Sequence, residues 1–129
     1  MRLLIDTQIL LWLLVASPRL TSDVYTALAD RQNRVYLSAA STWELAIKVS
    51  LGKLDIPRNL AQWLPPELDA GGIRLLPVEL DHALGVEHLP RHHGDPFDRL
   101  LIAQAIAEDL TIVTSDRAFG RYDVRLFPW

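Results

Sequence analysis

The chain contains no cysteine. This absence excludes a disulfide framework, a thiolate nucleophile and a cysteine-ligated zinc site. A chain without cysteine suits a reducing compartment, and we expect a cytoplasmic location. Chemistry in this protein is therefore expected to come from oxygen and nitrogen side chains.

Long apolar runs are also missing. The apolar segment near the N-terminus is interrupted by Asp6, Thr7 and Gln8, and the unbroken stretch 9–16 has only eight residues. A helix needs about 20 apolar residues to span a bilayer. The segment therefore predicts a core element rather than an export signal, and no membrane partner is expected.

Basic residues are not in excess over acidic ones. Lysine and arginine number 13, aspartate and glutamate number 16, and the formal net charge is −3. A molecule with this balance repels a polyanion as a whole, so any nucleic-acid role requires a local site or a metal ion. The chain has 129 residues, half of them hydrophobic, and we expect a single domain, 1–129.

Short apolar runs alternate with helical patterns along the chain. Unbroken apolar runs are typical of strands buried on both faces of a parallel sheet, so we predict an α/β fold with a mostly parallel central sheet of four to five strands flanked by helices. The predicted strands are 3–5, 35–37, 73–78 and 111–113, with an edge strand at 124–127. The predicted helices are 7–15, 22–33, one capped by Ser41 and stopped by Gly52, 59–68 broken by Pro65 and Pro66, 80–89, 97–109 and 117–122.

Four carboxylates follow these strands or begin the helices beside them. Asp6 and Asp116 each end a predicted strand, Glu44 follows the strand that ends near residue 38, and Asp98 lies in the first turn of the helix 97–109. The carboxyl ends of parallel strands share one edge of a sheet, where ligand crevices form. We therefore expect the four carboxylates to reach the same rim.

Each carboxylate also has a structural interpretation, which the sequence leaves open. Asp6 and Asp116 suit the N-caps of the helices that follow them. Asp98 fits the acid of a capping box that begins at Asp95 and Pro96. Glu44 fits an i,i+4 surface pair with Lys48.

The electrostatics of such a rim restrict what it can do. Two carboxylates about 4 Å apart repel by about 4 kcal/mol at an effective dielectric constant near 20. The rim must therefore take up protons or a cation. Because an all-oxygen set suits Mg²⁺ or Mn²⁺, we expect one or two such ions and phosphodiester hydrolysis as the reaction.

Histidines, arginines and tryptophans give weaker signals. Pro90 breaks the helix that would align His88 with His92, so the helical two-histidine zinc pattern fails and a solvated loop is expected. An approach of His92 and His93 to the rim beside Asp95 is the weaker alternative. Arg99, Arg117 and Arg121 flank the rim and are candidates for phosphate contacts, although a surface pair between Arg99 and Asp95 is an equal alternative. The tryptophans are expected in the core or at an interface, and are Trp12, Trp43, Trp63 and Trp129.

Five segments together resemble the PIN domain, and more narrowly the VapC-type toxins of bacterial type II toxin–antitoxin systems. The most specific of them is 95–105, Asp-Pro-Phe-Asp-Arg-Leu-Leu-Ile-Ala-Gln-Ala. The others are Leu-Ile-Asp-Thr at 4–7 with Trp12 downstream, 38–48 around Thr-Trp-Glu, Leu-Gly-Lys-Leu at 51–54, and Thr-Ile-Val-Thr-Ser-Asp at 111–116. Gln8 departs from the residues that relatives often carry there.

The resemblance implies a metal-dependent endoribonuclease that leaves a 5′-phosphate and a 3′-hydroxyl. It implies that Mg²⁺ or Mn²⁺ is held by Asp6, Glu44, Asp98 and Asp116. Thr7 and Thr114 would support this quartet and, with Arg99, contact the RNA substrate. It further implies a homodimer and a cognate antitoxin that occludes the active site.

Two alternatives use some of the same residues. A haloacid-dehalogenase-like Mg²⁺ phosphatase needs a second aspartate two positions beyond Asp6, where the chain has Gln8, and a receiver domain needs a late lysine, whereas none follows Lys53. Both are disfavoured. A catalytically inactive PIN-like module that only binds RNA or protein stays open.

Overall fold

The computed structural model describes residues 1–128, and Trp129 lies outside the described residues. Four parallel strands form one sheet in the order β3-β2-β1-β4. The strands are β1 (Arg2–Ile5), β2 (Arg34–Ser38), β3 (Ile73–Leu76) and β4 (Thr111–Val113). The predicted parallel α/β architecture is therefore confirmed.

In the part of the chain that the structure describes, six helices flank the sheet. They are α1 (Thr7–Leu14), α2 (Ser22–Ala29), α3 (Ala39–Ser50), α4 (Leu60–Ala70), α5 (Leu80–Gly85) and α6 (Pro96–Glu108). Two 3-10 turns add to these, at Val86–His88 and Arg117–Arg121. No helix among residues 1–128 has the length and apolar character needed to cross a membrane.

Alternate residues of β1 face two separate cores, as the uninterrupted apolar run predicts. Leu3 and Ile5 pack into one cluster with residues of α1 and α2, and Leu4 packs into another with Leu101 of α6 and Phe119. All three β1 residues are fully buried. The central strand is thus covered on both faces, which fixes where its carboxyl end emerges.

Helix α3 begins earlier than predicted. Its N-cap is Ser38 rather than Ser41, because the Ser38 hydroxyl oxygen accepts the backbone N–H of Ala40. The cap is also the last residue of β2, so the chain turns directly from strand to helix. At the other end Gly52 adopts a left-handed φ of 70°, which confirms it as the stop.

Two further predictions need correction. Helix α4 continues through Pro65 and Pro66 instead of breaking there. Both prolines are exposed, as are Ala61 and Gln62, whose carbonyls lose their helical donors and can face water instead. The predicted edge strand 124–127 is reduced to a single parallel bridge between Ile112 and Leu126.

Candidate active site

Asp6 stands at the carboxyl end of β1 and caps α1. One carboxylate oxygen accepts the backbone N–H of Ile9 at 2.8 Å, and the other accepts the hydroxyl of Thr114 at 2.5 Å. The side chain is almost completely buried. Burial raises the pKa of Asp6, the two hydrogen bonds lower it, and the nearby carboxylates of Asp116 and Glu44 raise it further.

Thr114 joins Asp6 to Asp116. Its hydroxyl donates to Asp6 and accepts the backbone N–H of Asp116 at 3.0 Å. Asp116 in turn caps the 3-10 turn that follows, through the backbone N–H of Ala118 at 2.9 Å. The predicted capping role is correct for both aspartates, and it coexists with their mutual proximity.

Glu44 faces the same edge from α3. The Thr7 hydroxyl donates to one of its oxygens at 2.6 Å, and Lys48 pairs with the other at 3.5 Å. The predicted surface pair with Lys48 is therefore present. The contact with Thr7 ties Glu44 to the first turn of α1, directly beside Asp6.

Asp98 approaches from the first turn of α6. The cap of this helix is Asp95, which accepts the backbone N–H groups of Phe97 and Asp98. The Asp98 carboxylate contacts the ring of His93 at 3.2 Å instead of completing a capping box. Burial raises its pKa to about 6, against the lowering effect of His93, and repulsion from Asp95 and Asp116 adds to the increase.

The four carboxylates lie along one edge, which we call the acidic edge (Asp6, Glu44, Asp98 and Asp116). Asp6 is repelled by Glu44 and Asp116, and Asp98 by Asp116, so the four form a continuous electrostatic set. Negative charges held this close in a partly buried place favour a proton or a cation.

The donors of the acidic edge are carboxylate oxygens, which is the ligand type that a hydrated hard cation takes. Within residues 1–128, no three histidine, aspartate or glutamate side chains converge closely enough to enclose an ion by themselves. Mg²⁺ usually keeps several waters and binds through one or two carboxylates, and Mn²⁺ favours the same oxygen ligands. The acidic edge offers such ligands, with Thr7 and Thr114 orienting two of them.

Comparison with known families decides the wider assignment. The family model described as the PIN domain matches residues 3–125. The chain belongs to the PIN-domain family. The acidic edge of this PIN domain lies inside the matched region, and so do both supporting threonines.

Known proteins that resemble this chain in sequence or fold include a ribonuclease and two VapBC complexes. Ribonuclease VapC16 of Mycobacterium tuberculosis is 39% identical over 70 residues, which is 51% of this chain and 48% of that protein. The chain thus matches about half the length of this curated relative. The VapBC2 complex of Rickettsia felis bound to a promoter DNA fragment superposes with a TM-score of 0.75 at 19% identity, covering 100% of this chain and 99% of that one.

DNA-bound VapBC from Salmonella typhimurium gives a TM-score of 0.68 at 18% identity, covering 98% of this chain and 97% of that one. At these identities the two solved structures establish a shared fold. They bear out the α/β architecture over the whole chain, not the chemistry of the acidic edge.

Arg99 does not occupy the place predicted for it. The residue is only 7% exposed, and its guanidinium donates to the carbonyls of Pro90, Val86 and Leu89 and to the Tyr122 hydroxyl. A surface pair with Asp95 is therefore wrong, and the burial of these donors does not support a phosphate contact. Arg117 and Arg121 are exposed beyond Asp116 and stay candidates for that role.

The loop that carries His92 and His93, which we call the histidine loop, is only partly exposed to solvent. His92 is exposed as expected, but His93 turns inward and contacts both Asp98 and Tyr122. Tyr122 is a residue that the sequence analysis missed, because its local pattern matches that of any core tyrosine. Its position beside the site arises only from packing.

The tryptophans differ in their surroundings. Trp12 and Trp63 are partly buried against the first core. Trp43 is 60% exposed and meets Phe97 edge-on, with ring centroids 5.2 Å apart. Trp43 is therefore not a core residue, and its role at an interface stays a prediction.

Proposed function

We propose that this PIN domain is a Mg²⁺- or Mn²⁺-dependent endoribonuclease and the toxin of a type II toxin–antitoxin pair. The observation that carries the proposal is the acidic edge itself. Helices α3 and α6 and the loops that follow β1 and β4 each contribute one carboxylate to this edge, and the Asp6 carboxyl is buried although burial disfavours its charged form. Such an arrangement is costly for stability and is typical of a site kept for chemistry.

Each residue of the edge has a role in this proposal. Asp6, Glu44, Asp98 and Asp116 would hold one or two divalent ions. A cation bound there supplies positive charge that activates water and offsets the charge of the phosphate during in-line displacement. Thr7 and Thr114 hold oxygens of Glu44 and Asp6 in fixed directions through their hydroxyl hydrogen bonds.

The partners follow from the relatives. The similar protein from M. tuberculosis is named a ribonuclease, and the two similar structures are VapBC complexes. We therefore propose RNA as the substrate, a cognate antitoxin that occludes the acidic edge, and a homodimer. A short neighbouring reading frame that encodes the antitoxin would support this assignment.

The test is cleavage of single-stranded RNA by the purified protein. With Mg²⁺ or Mn²⁺ we expect endonucleolytic products that carry a 5′-phosphate and a 3′-hydroxyl, and EDTA should abolish the reaction. Asp98→Asn should remove the activity and leave the fold intact. Asp55→Asn, at an exposed loop position, should leave the activity unchanged.

Two results would contradict this proposal in different ways. Full activity of Asp98→Asn would place the active site elsewhere. An inert wild type that still binds RNA, across varied RNAs and with both metals, would identify an inactive binding module.

A further inference from the structure

A chain of hydrogen bonds runs from the interior of α6 to the acidic edge. The Arg99 guanidinium contacts the Tyr122 hydroxyl at 3.1 Å, this hydroxyl contacts Nδ1 of His93 at 2.6 Å, and Nε2 of His93 contacts Oδ2 of Asp98 at 3.2 Å. Arg99 and Tyr122 are both buried. The chain therefore begins in the core and ends on a carboxylate of the proposed site.

The direction of these hydrogen bonds is set by Arg99. A guanidinium can only donate, so the Tyr122 oxygen accepts from it. The same oxygen also accepts the backbone N–H of His93 at 3.3 Å. With both lone pairs of the phenol oxygen in use, the Tyr122 hydrogen must point at Nδ1 of His93, which is then the acceptor.

This arrangement selects one tautomer of His93. A hydrogen on Nδ1 would face the hydroxyl hydrogen of Tyr122, so the neutral ring carries its hydrogen on Nε2. That nitrogen is the one beside Asp98, and it therefore donates to Oδ2. The sequence of donors is Arg99 to Tyr122, Tyr122 to His93, and His93 to Asp98.

We propose that His93 is a positioning residue for Asp98, and that Arg99 and Tyr122 hold it in the donating tautomer. The hydrogen bond holds the Asp98 carboxylate through Oδ2, so that this carboxylate would meet a bound cation in a fixed orientation. This role deepens the proposed nuclease function and rests on it for its catalytic consequence. Supporting hydrogen bonds of this kind orient metal-binding carboxylates in other proteins.

Arg99 directly follows Asp98 in the chain, and this arrangement gives it a second structural role. Its other contacts, to the carbonyls of Val86, Leu89 and Pro90, hold the segment that leads to His93. One buried guanidinium thus fixes both the position of the histidine loop and the tautomer of its inward-facing ring.

Two amide substitutions separate the hydrogen bond from the bulk of the ring. In His93→Gln the amide nitrogen can take the place of Nε2 and still donate to Asp98, whereas in His93→Asn it lies near the place of Nδ1 and cannot reach. The control is His92→Asn, since His92 also packs edge-on against Tyr122, at 4.9 Å, but is exposed.

The first readout is Mn²⁺ affinity by calorimetry, which does not depend on RNA cleavage. We expect His93→Asn to bind Mn²⁺ about 10- to 100-fold more weakly than the wild type, with His93→Gln and His92→Asn within about threefold of it. The kcat for RNA should follow the same order. Equal Mn²⁺ affinities for the asparagine and glutamine variants at position 93 would overturn the proposal.

The second readout is the tautomer of His93, from the ¹⁵N shifts of its ring at neutral pH. We expect hydrogen on Nε2 in the wild type and a mixture of tautomers in Tyr122→Phe, which keeps the ring but removes the hydroxyl. Hydrogen on Nδ1 in the wild type would refute the inference. Absence of RNA cleavage with normal Mn²⁺ binding and this tautomer would refute only the proposed nuclease function.

Discussion

Asp6 combines two tasks that conflict electrostatically. As the N-cap of α1 it accepts a backbone N–H in its ionised form, and the hydroxyl of Thr114 also favours that form. Burial and the charges of Glu44 and Asp116 oppose ionisation, and the net effect raises its pKa. The ionised form of Asp6 is therefore destabilised in the folded protein, as the proposed site function would require.

The Asp6→Asn variant tests this conflict. Asparagine can still cap α1, but it carries no charge and repels neither neighbour. Under the proposed function Asp6 is a direct metal ligand, and its loss should exceed the 10- to 100-fold typical of supporting residues, so we expect RNA cleavage to fall by at least about 100-fold. Chemical denaturation should show an unfolding free energy equal to or above that of the wild type.

A matched substitution at the exposed Asp55 serves as the control for Asp6→Asn. It should change neither activity nor stability. An Asp6→Asn protein that cleaves RNA normally would remove Asp6 from the site. Marked destabilisation would show that its ionised cap matters more to folding than the repulsion costs.

Asp98 predicts a pH dependence whose sign follows from its raised pKa. The Asp98 carboxyl binds a proton more tightly in the folded protein than in the unfolded chain, since folding raises its pKa from 3.8 to about 6. The stabilisation is therefore complete below pH 3.8 and is lost as the pH rises through about 6. At neutral pH the ionised Asp98 carboxylate therefore lowers the unfolding free energy of the metal-free protein.

The Asp98→Asn variant should not lose unfolding free energy through this group as the pH rises. Between pH 4 and 7, without divalent ions, its unfolding free energy should gain roughly 2–3 kcal/mol relative to that of the wild type. Denaturation of both proteins across this range measures the difference. Parallel pH profiles for the two proteins would contradict the raised pKa of Asp98.

Among the elements, α3 depends most clearly on a contact distant in sequence. The Ser38 hydroxyl accepts the N–H of Ala40 and donates to the side-chain oxygen of Gln104 on α6 at 2.5 Å, and both residues are fully buried. One hydroxyl therefore caps the helix that carries Glu44 and joins it to the helix that carries Asp98.

Ser38→Ala removes the cap and leaves the buried oxygen of Gln104 without this donor. We expect a loss of about 2 kcal/mol in the unfolding free energy, measured by chemical denaturation. Ser50→Ala is the matched control, because Ser50 is exposed at the other end of α3 and its change should stay within about 0.5 kcal/mol. Equal effects at positions 38 and 50 would refute the special role of the buried cap.

At the scale of the whole molecule, charge restricts how RNA can be held. The net charge is −3, the acidic edge repels phosphates, and Arg99 is committed to the interior. Arg117 and Arg121 remain exposed beyond Asp116. We expect these two arginines to supply the phosphate contacts, so binding should depend only weakly on salt.

We expect the logarithm of the RNA association constant to fall with the logarithm of salt concentration with a slope near −1.4, which corresponds to about two phosphate contacts on a single strand. Fluorescence anisotropy of labelled RNA with the Asp98→Asn protein measures it. Arg117→Ala should reduce the slope by about 0.7, whereas Arg31→Ala, on the exposed loop before β2, should not. A slope steeper than about −3 would show that further basic residues contact the RNA.

Local patterns were sufficient for several features of this protein. Apolar runs identified the four strands, because burial on both faces leaves a mark within a few residues. Asp6 and Asp116 were identified by their position directly after predicted strands. The resemblance at 95–105 indicated the family. The continuity of α4 through two prolines was missed, because it depends on which carbonyls face water.

The hydrogen bonds of Ser38 with Gln104, and those that join Arg99, Tyr122 and His93, were decided by the tertiary structure alone. These hydrogen bonds join residues whose separation along the chain ranges up to 66 positions, and no local period carries that information. The local sequence around Arg99 predicts a surface residue, whereas the packing directs its hydrogen-bond donors inward. The sequence by itself determined which carboxylates are candidates for binding a cation, while the packing of α6 against the histidine loop decided how the Asp98 carboxylate is held.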